Sequence, residues 1–257
     1  MTELLTVTGL GKRFGSVQAV DDVGFALRRG EVLDLLGPNG TGKTTTFNML
    51  GGQLVPDAGS MLLNGTALGG KLPREIWRLG VGRTFQIAET FSSLTVAENV
   101  QMALLSAAGR VFRLWQKAAA FEREQALALL SLVGMQDQAD RACSALDSGD
   151  VKRVELAIAM AHEPVLLLMD EPTAGMAQAE RLQLMALTRR LAKQRDMAVL
   201  FTEHSMDVVF AYADRIIVLA RGRLIAEGSP EEVRRNPEVR AVYLGKGTTY
   251  ESLEQSL

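Results

Sequence analysis

The stretch GPNGTGKTTT at residues 37–46 decides what fold to expect of this chain. It fits the pattern G-x-x-x-x-G-K-[ST], in which glycines allow backbone N–H groups to point at phosphate oxygens. Lys43 would add a positive charge, Thr44 could bind Mg²⁺, and the following helix would offer its positive N-terminus. An apolar strand is expected before the pattern and a helix after it, so the sequence predicts a phosphate-binding loop, or P-loop, and not a plain glycine-rich turn. Its candidate binding residues are Gly37, Pro38, Asn39, Gly40, Thr41, Gly42, Lys43, Thr44 and Thr45.

A P-loop needs a partner acid, and VLLLMDEP at residues 165–172 supplies two. Asp170 should end a buried strand, where it could hold Mg²⁺ through water. Glu171 follows directly and could polarise a water that attacks a phosphate. Taken alone, the two acids could simply cap a strand end. The chain contains no Asn-Lys-x-Asp, which disfavours a guanine-specific GTPase.

Patterning along the chain predicts an α/β protein. The first part has short strands and turns, and two apolar runs, at 164–169 and 197–201, indicate buried parallel strands with a helix between them. From Thr95 to about Met160 apolar residues recur at helical spacing, which indicates an inserted helical region. A hairpin is expected around Gly222, followed by short helices from Pro230 to Tyr243.

Bulk properties exclude several classes of protein. Of the 257 residues, 47% are hydrophobic and 23% charged, and the net charge of −2 gives no reason to expect nucleic acid as a partner. One cysteine, Cys143, excludes an intramolecular disulfide, and two histidines make a structural zinc site improbable. No stretch is long enough to span a bilayer, and the N-terminus lacks a signal pattern. The sequence therefore predicts a cytosolic protein unless a partner holds it at a membrane.

Over about residues 4–245 the chain resembles the nucleotide-binding subunits of ABC transporters, because the order of motifs matches. Phe14, in KRFG, matches the aromatic residue that stacks on adenine. Gln86, in GRTFQ, matches the glutamine that senses Mg²⁺ and the γ-phosphate. Asp170 and Glu171 match the Walker B pair, and TAGM at 173–176 lies where the D-loop falls. His204, in LFTEHSMD, matches the switch histidine that holds the γ-phosphate.

This resemblance implies one cassette with a RecA-like P-loop NTPase core, an antiparallel β subdomain and an inserted α-helical subdomain. The core would be discontinuous, over 1–86 and 161–245; the helical subdomain would span 87–160, and 246–257 would be a polar tail. ATP and Mg²⁺ are the implied cofactors. The implied partners are transmembrane permease subunits and a second ABC ATPase, as a homodimer or heterodimer, with a periplasmic solute-binding protein acting indirectly. Such a subunit would lie at the cytoplasmic face of the inner membrane.

Several runs narrow the resemblance to the importers of branched-chain amino acids, whose relatives also serve urea and amide uptake. These runs include TVAENV, DEPTAGM, EHSMDVV, DRIIVLARGRLIAEGSPEEV and the ending VYLG. Lipopolysaccharide-export ATPases are similar over the same region. A catalytically impaired regulatory subunit and a non-transport ABC protein are further alternatives. The latter is disfavoured because the chain has one cassette, a short insertion and no basic stripe.

One motif departs from the family pattern. The signature loop, which faces the γ-phosphate bound by the other subunit, falls on Leu146–Val151 and should read Leu-Ser-x-Gly-Asp/Gly-Gln. Leu146, Gly149 and Asp150 fit, but Asp147 replaces the serine and Val151 the glutamine, while Ser148 occupies a variable position. Asp147 is a good helix cap. As a carboxylate it cannot donate a hydrogen bond to a phosphate and repels it, by about 4 kcal/mol at ~4 Å and an effective dielectric near 20 before screening.

A second departure is Asp34, inside the strand that leads to the P-loop. Such a strand is normally buried on both faces, and the family has a small or apolar residue here. A buried acid without a partner is costly or has a raised pKa. The sequence gives Asp34 no functional role, and it leaves open how this acid affects stability.

Overall fold

The protein was analysed as a computed structural model that describes residues 3–84, 90–108 and 122–244. Two β-sheets are present among these residues. The strands are β1 (Glu3–Phe14), β2 (Val17–Arg28), β3 (Val32–Leu36), β4 (Ala58–Leu63), β5 (Thr66–Ala67), β6 (Val81–Thr84), β7 (Leu166–Asp170), β8 (Ala198–Thr202), β9 (Arg215–Ala220) and β10 (Arg223–Gly228). The helices are α1 (Lys43–Leu50), α2 (Pro73–Arg78), α3 (Val96–Ala107), α4 (Arg123–Leu132), α5 (Ser148–Met160), α6 (Gln178–Gln194), α7 (Met206–Tyr212), α8 (Pro230–Arg235) and α9 (Pro237–Leu244).

The larger sheet has the strand order β10-β9-β3-β8-β7-β6. Its strands are parallel except for β10, which pairs antiparallel with β9. All five residues of each of β3, β7 and β8 are buried, as expected for parallel strands covered on both faces. The P-loop, Asp170 and His204 therefore follow neighbouring strands at one edge of this sheet, because carboxyl ends of parallel strands meet there.

Side chains of the parallel strands alternate between two apolar clusters. Val32, Leu36 and Phe201 belong to one cluster, which also holds apolar residues of α3 to α7. Leu33 and Leu35 point the other way, into a cluster shared with α1 and with the second sheet. The second sheet is antiparallel, in the order β2-β1-β4-β5. A mixed α/β fold with an antiparallel β subdomain is thus confirmed.

Helices fill most of the described part of the region from Thr95 to Met160, as predicted. α3 begins with a capping box, in which Thr95 and Glu98 bond each other's backbone N–H groups. Two short 3₁₀ turns, Gln136–Gln138 and Cys143–Ala145, precede α5. Where one subdomain ends and the next begins, at 86/87 and 160/161, stays a prediction.

Candidate nucleotide-binding and hydrolysis site

The loop between β3 and α1 has the backbone expected of a phosphate-binding loop. Gly42 caps α1 with φ 102°, in the left-handed region, and a Cβ there would lie 2.4 Å from the carbonyl oxygen of Ala19. A Cβ on Gly37 would lie 2.5 Å from the carbonyl oxygen of Leu219. Only glycine fits such approaches. The first turn of α1 carries no acidic side chain, so its N–H groups can receive an anion.

Lys43 lies inside this loop and is buried. Its ammonium donates hydrogen bonds to the carbonyl oxygens of Gly37 at 2.5 Å and Pro38 at 3.2 Å. Burial lowers the pKa of Lys43, and the negative charges of Glu171, Asp34 and Asp170 oppose that shift. The fold therefore brings the predicted lysine and both predicted Walker B acids into one electrostatic neighbourhood.

The two acids at the end of β7 have different environments. Asp170 is buried, and its Oδ1 accepts a hydrogen bond from the Thr202 hydroxyl at 2.8 Å. Glu171 has φ 48°, an unfavourable left-handed conformation for a residue with a side chain. Its N–H donates to the hydroxyl of Thr202 at 3.1 Å, which helps to hold this conformation. β8 thus fixes both the carboxylate of Asp170 and the backbone turn that projects Glu171.

His204 and Glu171 contact each other directly. Nε2 of His204 lies 2.8 Å from Oε1 of Glu171, and the ring N–H donates to the carboxylate. The His204 side chain is 47% exposed and that of Glu171 22%. Two residues singled out independently by the motifs are therefore joined at a surface that solvent and substrate can reach.

Phe14 ends β1 and is 47% exposed, although it is a large apolar side chain. The ammonium of Lys12 lies 5.7 Å from the centre of its ring. Asp57 and the carbonyl oxygen of Val55 each accept a hydrogen bond from Lys12 at 2.8 Å, which fixes the ammonium. An exposed aromatic ring on a rigid strand end can stack on a planar base.

The signature loop has the predicted cap. Oδ1 of Asp147 accepts a hydrogen bond from the N–H of Asp150 at 2.8 Å, and α5 begins at Ser148. Oδ2 of Asp150 accepts one from the side chain of Gln138 at 2.9 Å. Asp147 and Ser148 are exposed, whereas Gly149 is buried and Leu146 is half-buried. The acid is therefore satisfied within its own helix and is accessible to a partner molecule. Gln86 lies outside the described residues.

Motif matching missed two residues that organise the site, Thr202 and Glu203. Thr202 bonds both Walker B acids, as described above. Glu203 is 3% exposed and hydrogen-bonds Thr173 and His204. No local motif marks Glu203, which lies just after the end of β8.

The side chains suit Mg²⁺, which prefers hard oxygen ligands. Asp170 offers a carboxylate. Thr44, which is exposed in the first turn of α1, offers a hydroxyl. Oδ1 of Asp170 already accepts the Thr202 hydroxyl, which orients the carboxylate and leaves Oδ2 for a water or a metal. Bound there with a nucleotide, the ion would neutralise phosphate charge.

Comparison with known proteins identifies the class to which this site belongs. Residues 20–174 match the ABC transporter family, and the chain belongs to that family of ATP-binding, ATP-hydrolysing transporter subunits. Residues 223–248 match a second family, the branched-chain amino acid ATP-binding cassette transporters.

Individual relatives cover nearly the whole chain. It is 40% identical to the high-affinity branched-chain amino acid transport ATP-binding protein LivG of Salmonella typhimurium, over 95% of this chain and 98% of that protein. It is 36% identical to BraF of Pseudomonas aeruginosa, a protein with the same description, over 95% and 98% of the two chains. The ADP conformation of the ATP-binding cassette MJ1267 has a TM-score of 0.85, with 29% identity over 95% of this chain and 100% of that one.

Within the described ranges, none of the helices combines the length and the apolar character needed to cross a membrane. The class of protein nevertheless implies partners in the membrane, because the ATP-binding subunit of a transporter works with permease subunits.

Proposed function

We propose that this chain hydrolyses ATP to drive uptake of branched-chain amino acids, or a related small polar solute, through partner permeases. The observation that carries the proposal is the similarity over 95% of the chain to proteins named as branched-chain amino acid transport ATP-binding proteins. The match of residues 223–248 to the corresponding cassette family supports the same substrate class.

The arrangement of side chains supports specific roles in hydrolysis. Phe14 would stack on adenine, and the P-loop N–H groups with Lys43 would hold the phosphates. Glu171 would orient or deprotonate the attacking water, because it is the partly exposed acid next to the loop. His204, joined to Glu171 at 2.8 Å, would hold the γ-phosphate. Mg²⁺ would be held by Thr44 and Asp170, with Gln86 as the sensor that the family pattern implies.

A groove with a volume of about 410 Å³ supports the proposed contact with a permease. Its apolar part includes Ile76, Trp77 and Ile158, and Arg74 lies on its wall. His162 stacks on Trp77 with ring centres 4.5 Å apart, and burial lowers its pKa to about 4, so the pair is neutral at pH 7. We propose that a cytoplasmic helix of the permease enters here, against the helical subdomain at 87–160, which would hold the chain at the cytoplasmic face of the membrane.

Crosslinking tests this contact. After replacement of Cys143, the chain's only cysteine, new cysteines at Ala103 and Ser106, which line the groove, should crosslink to a permease subunit. The loop at 87–94 should do the same. A cysteine at Arg221, in the β9–β10 turn, is the control. Crosslinks formed only from Arg221 would contradict the proposed surface.

The proposed activity is tested by purifying the chain together with permease subunits from the same organism. Reconstituted with its solute-binding protein in proteoliposomes, the complex should hydrolyse ATP faster when a branched-chain amino acid is bound. Stimulation by urea or an amide alone would show that the transported solute belongs to that class and not to the branched-chain amino acids. ATP hydrolysis unaffected by any of these solutes, or stimulated by a lipopolysaccharide, would overturn the import proposal.

A further inference from the structure

Glu203 is a buried charged side chain with every contact directed at the candidate site. Its Oε1 accepts two hydrogen bonds from Thr173, from the N–H at 2.9 Å and from the hydroxyl at 2.6 Å. Its Oε2 accepts one from the N–H of His204 at 3.1 Å. Burying a carboxylate is costly unless donors satisfy it, and these three donors do so.

These contacts connect the two segments that carry the reactive side chains. Thr173 lies two residues after Glu171, and His204 follows Glu203 directly. The segments also meet where His204 bonds Glu171, and Arg181, in α6, donates from its guanidinium to the Ser205 hydroxyl at 2.6 Å. Glu203 is 3% exposed and Thr173 1%, and the two oxygens of Glu203 each contact a different segment.

The neighbouring strand shows how differently a second buried acid behaves. Asp34, on β3, is fully buried, and neither of its carboxyl oxygens has a hydrogen-bond partner among the described residues. Burial and the negative charge of Glu203 raise its pKa well above the usual range. Of these two acids, Glu203 alone has the donors that a carboxylate needs, and all of them belong to segments that carry catalytic candidates.

We propose that Glu203 is a positioning residue for ATP hydrolysis, whose carboxylate holds the backbone of His204 against Thr173 so that His204 and Glu171 engage the γ-phosphate together. The inference rests on the proposed hydrolytic function. It assigns Glu203 no contact with the nucleotide: the side chain acts through His204.

Two substitutions weaken this link by different amounts. Glu203→Gln keeps the shape, but an amide nitrogen must face either Thr173 or His204, and one donor loses its acceptor. It should lower kcat roughly tenfold while the KM for ATP changes less than about twofold. Thr173→Val removes only the hydroxyl donor and should lower kcat about threefold, whereas Thr173→Ser should restore it. Thr188→Val is the matched control, because it removes an equally buried hydroxyl that bonds only Leu184 of its own helix.

A double-mutant cycle separates positioning from a general structural role. In the His204→Ala background, Thr173→Val should leave the residual kcat unchanged, because the residue that the link positions is gone. Thermal unfolding shows whether each variant is folded, and the Thr173 pair keeps the test valid if Glu203→Gln fails to fold. A wild-type chain without ATPase activity in its complex would overturn the proposed function. If the wild type is active, two results would overturn only the role of Glu203. One is a kcat of Thr173→Val equal to that of the wild type, and the other is an effect of Thr173→Val on kcat that is equally large in the His204→Ala background.

Discussion

The P-loop half of the molecule and the signature loop at the start of α5 relate to the family pattern in opposite ways. Around the P-loop, Lys43, Asp170, Glu171 and His204 all match, and the fold brings Lys43 close to both acids and Glu171 to His204. At the signature loop, Asp147 stands where the family has serine, and it is exposed and bonded only to the N–H of Asp150 among the contacts described.

From this difference we expect that, in a site shared by two ATPase subunits, this chain supplies the P-loop half better than the signature-loop half. At its own P-loop, the sequence has the residues that the family pattern expects for nucleotide binding and hydrolysis. The surface that it would offer to a partner's nucleotide carries a negative charge where a donor is needed. We therefore expect either a heterodimer with one main hydrolytic site, formed by this P-loop and a partner's serine, or a weakly active homodimer.

The strongest test of the P-loop half is Lys43→Ala. Loss of the ammonium should abolish ATP–Mg²⁺ binding, measured by titration with a fluorescent ATP analogue, because the phosphates lose their main positive partner. Phe14→Ala should weaken binding without abolishing it, since stacking on one face is lost. Lys71→Ala, outside the P-loop, is the charge-matched control. Unchanged affinity in Lys43→Ala would show that the loop is not the nucleotide site.

Glu171→Gln should separate binding from chemistry. The amide keeps the shape but cannot act as a base, so turnover should fall by a factor of order 10² or more while ATP binding remains. Glu163→Gln is a close control, because Glu163 also has a positive φ, of 52°, and lies at the other end of the same strand, before β7. Turnover close to wild type in Glu171→Gln would assign the base to another residue.

Asp34→Ser should stabilise the protein. That result would show that the P-loop half also contains a residue that departs from the family pattern and lowers stability. Removing a buried carboxyl without a hydrogen-bond partner should raise the free energy of unfolding at pH 7 by about 1–3 kcal/mol. The folded-state pKa of Asp34 is raised, so the wild type loses stability as pH rises above the ordinary pKa near 4. Urea unfolding across pH 4–8 should show the variant's advantage growing with pH. If the free energies of unfolding of the variant and the wild type differ by the same amount at every pH, the pKa of Asp34 is the same in the folded and unfolded states.

Asp147→Ser tests the signature-loop half and should have the smallest effect. In the Glu171→Gln background, where ATP persists, removing the charge should strengthen ATP-dependent self-association about tenfold. The effect is smaller than the unscreened repulsion between two charges, because solvent screens an exposed carboxylate. Sedimentation with ATP–Mg²⁺ measures it, and Asp137→Ser, an exposed acid in the same helical region, is the control. Equal dimer fractions with and without the Asp147→Ser substitution would mean that the acid serves only as a helix cap.

Local motifs and burial patterns in the sequence predict most of the secondary-structure elements around the candidate site. β7 and β8 were predictable because buried parallel strands are largely continuous apolar runs, and β3 and α1 because they flank a recognisable loop. The helix cap at Asp147 and the unpartnered burial of Asp34 were also predicted, and both are confirmed. These features depend on residues that are close in sequence or on one strand's burial.

The links across strands were not predictable in the same way. Glu203 lies 30 residues from Thr173, and Thr202 lies 32 residues from Asp170, so no local pattern pairs them. Glu203 also resembles a polar residue that simply ends a strand. Only the parallel pairing of β7 with β8 brings these side chains together. The roles of the individual site residues, Gln86 included, stay predictions that the substitutions above can test.

The close approaches of Gly42 to Ala19 and of Gly37 to Leu219 have a mechanical consequence. At both places the phosphate-binding loop meets the main chain of another strand, β2 or β9, with no side chain between them whose rotamer could absorb a displacement. Because the backbones approach so closely, we expect a displacement of β9 towards the loop to displace the loop as well. β9 continues through Gly222 into the segment 223–248 that matches the branched-chain amino acid cassettes. We therefore expect a force on the β9–β10 hairpin, where the matched segment begins, to reach the phosphate-binding loop through main-chain contacts.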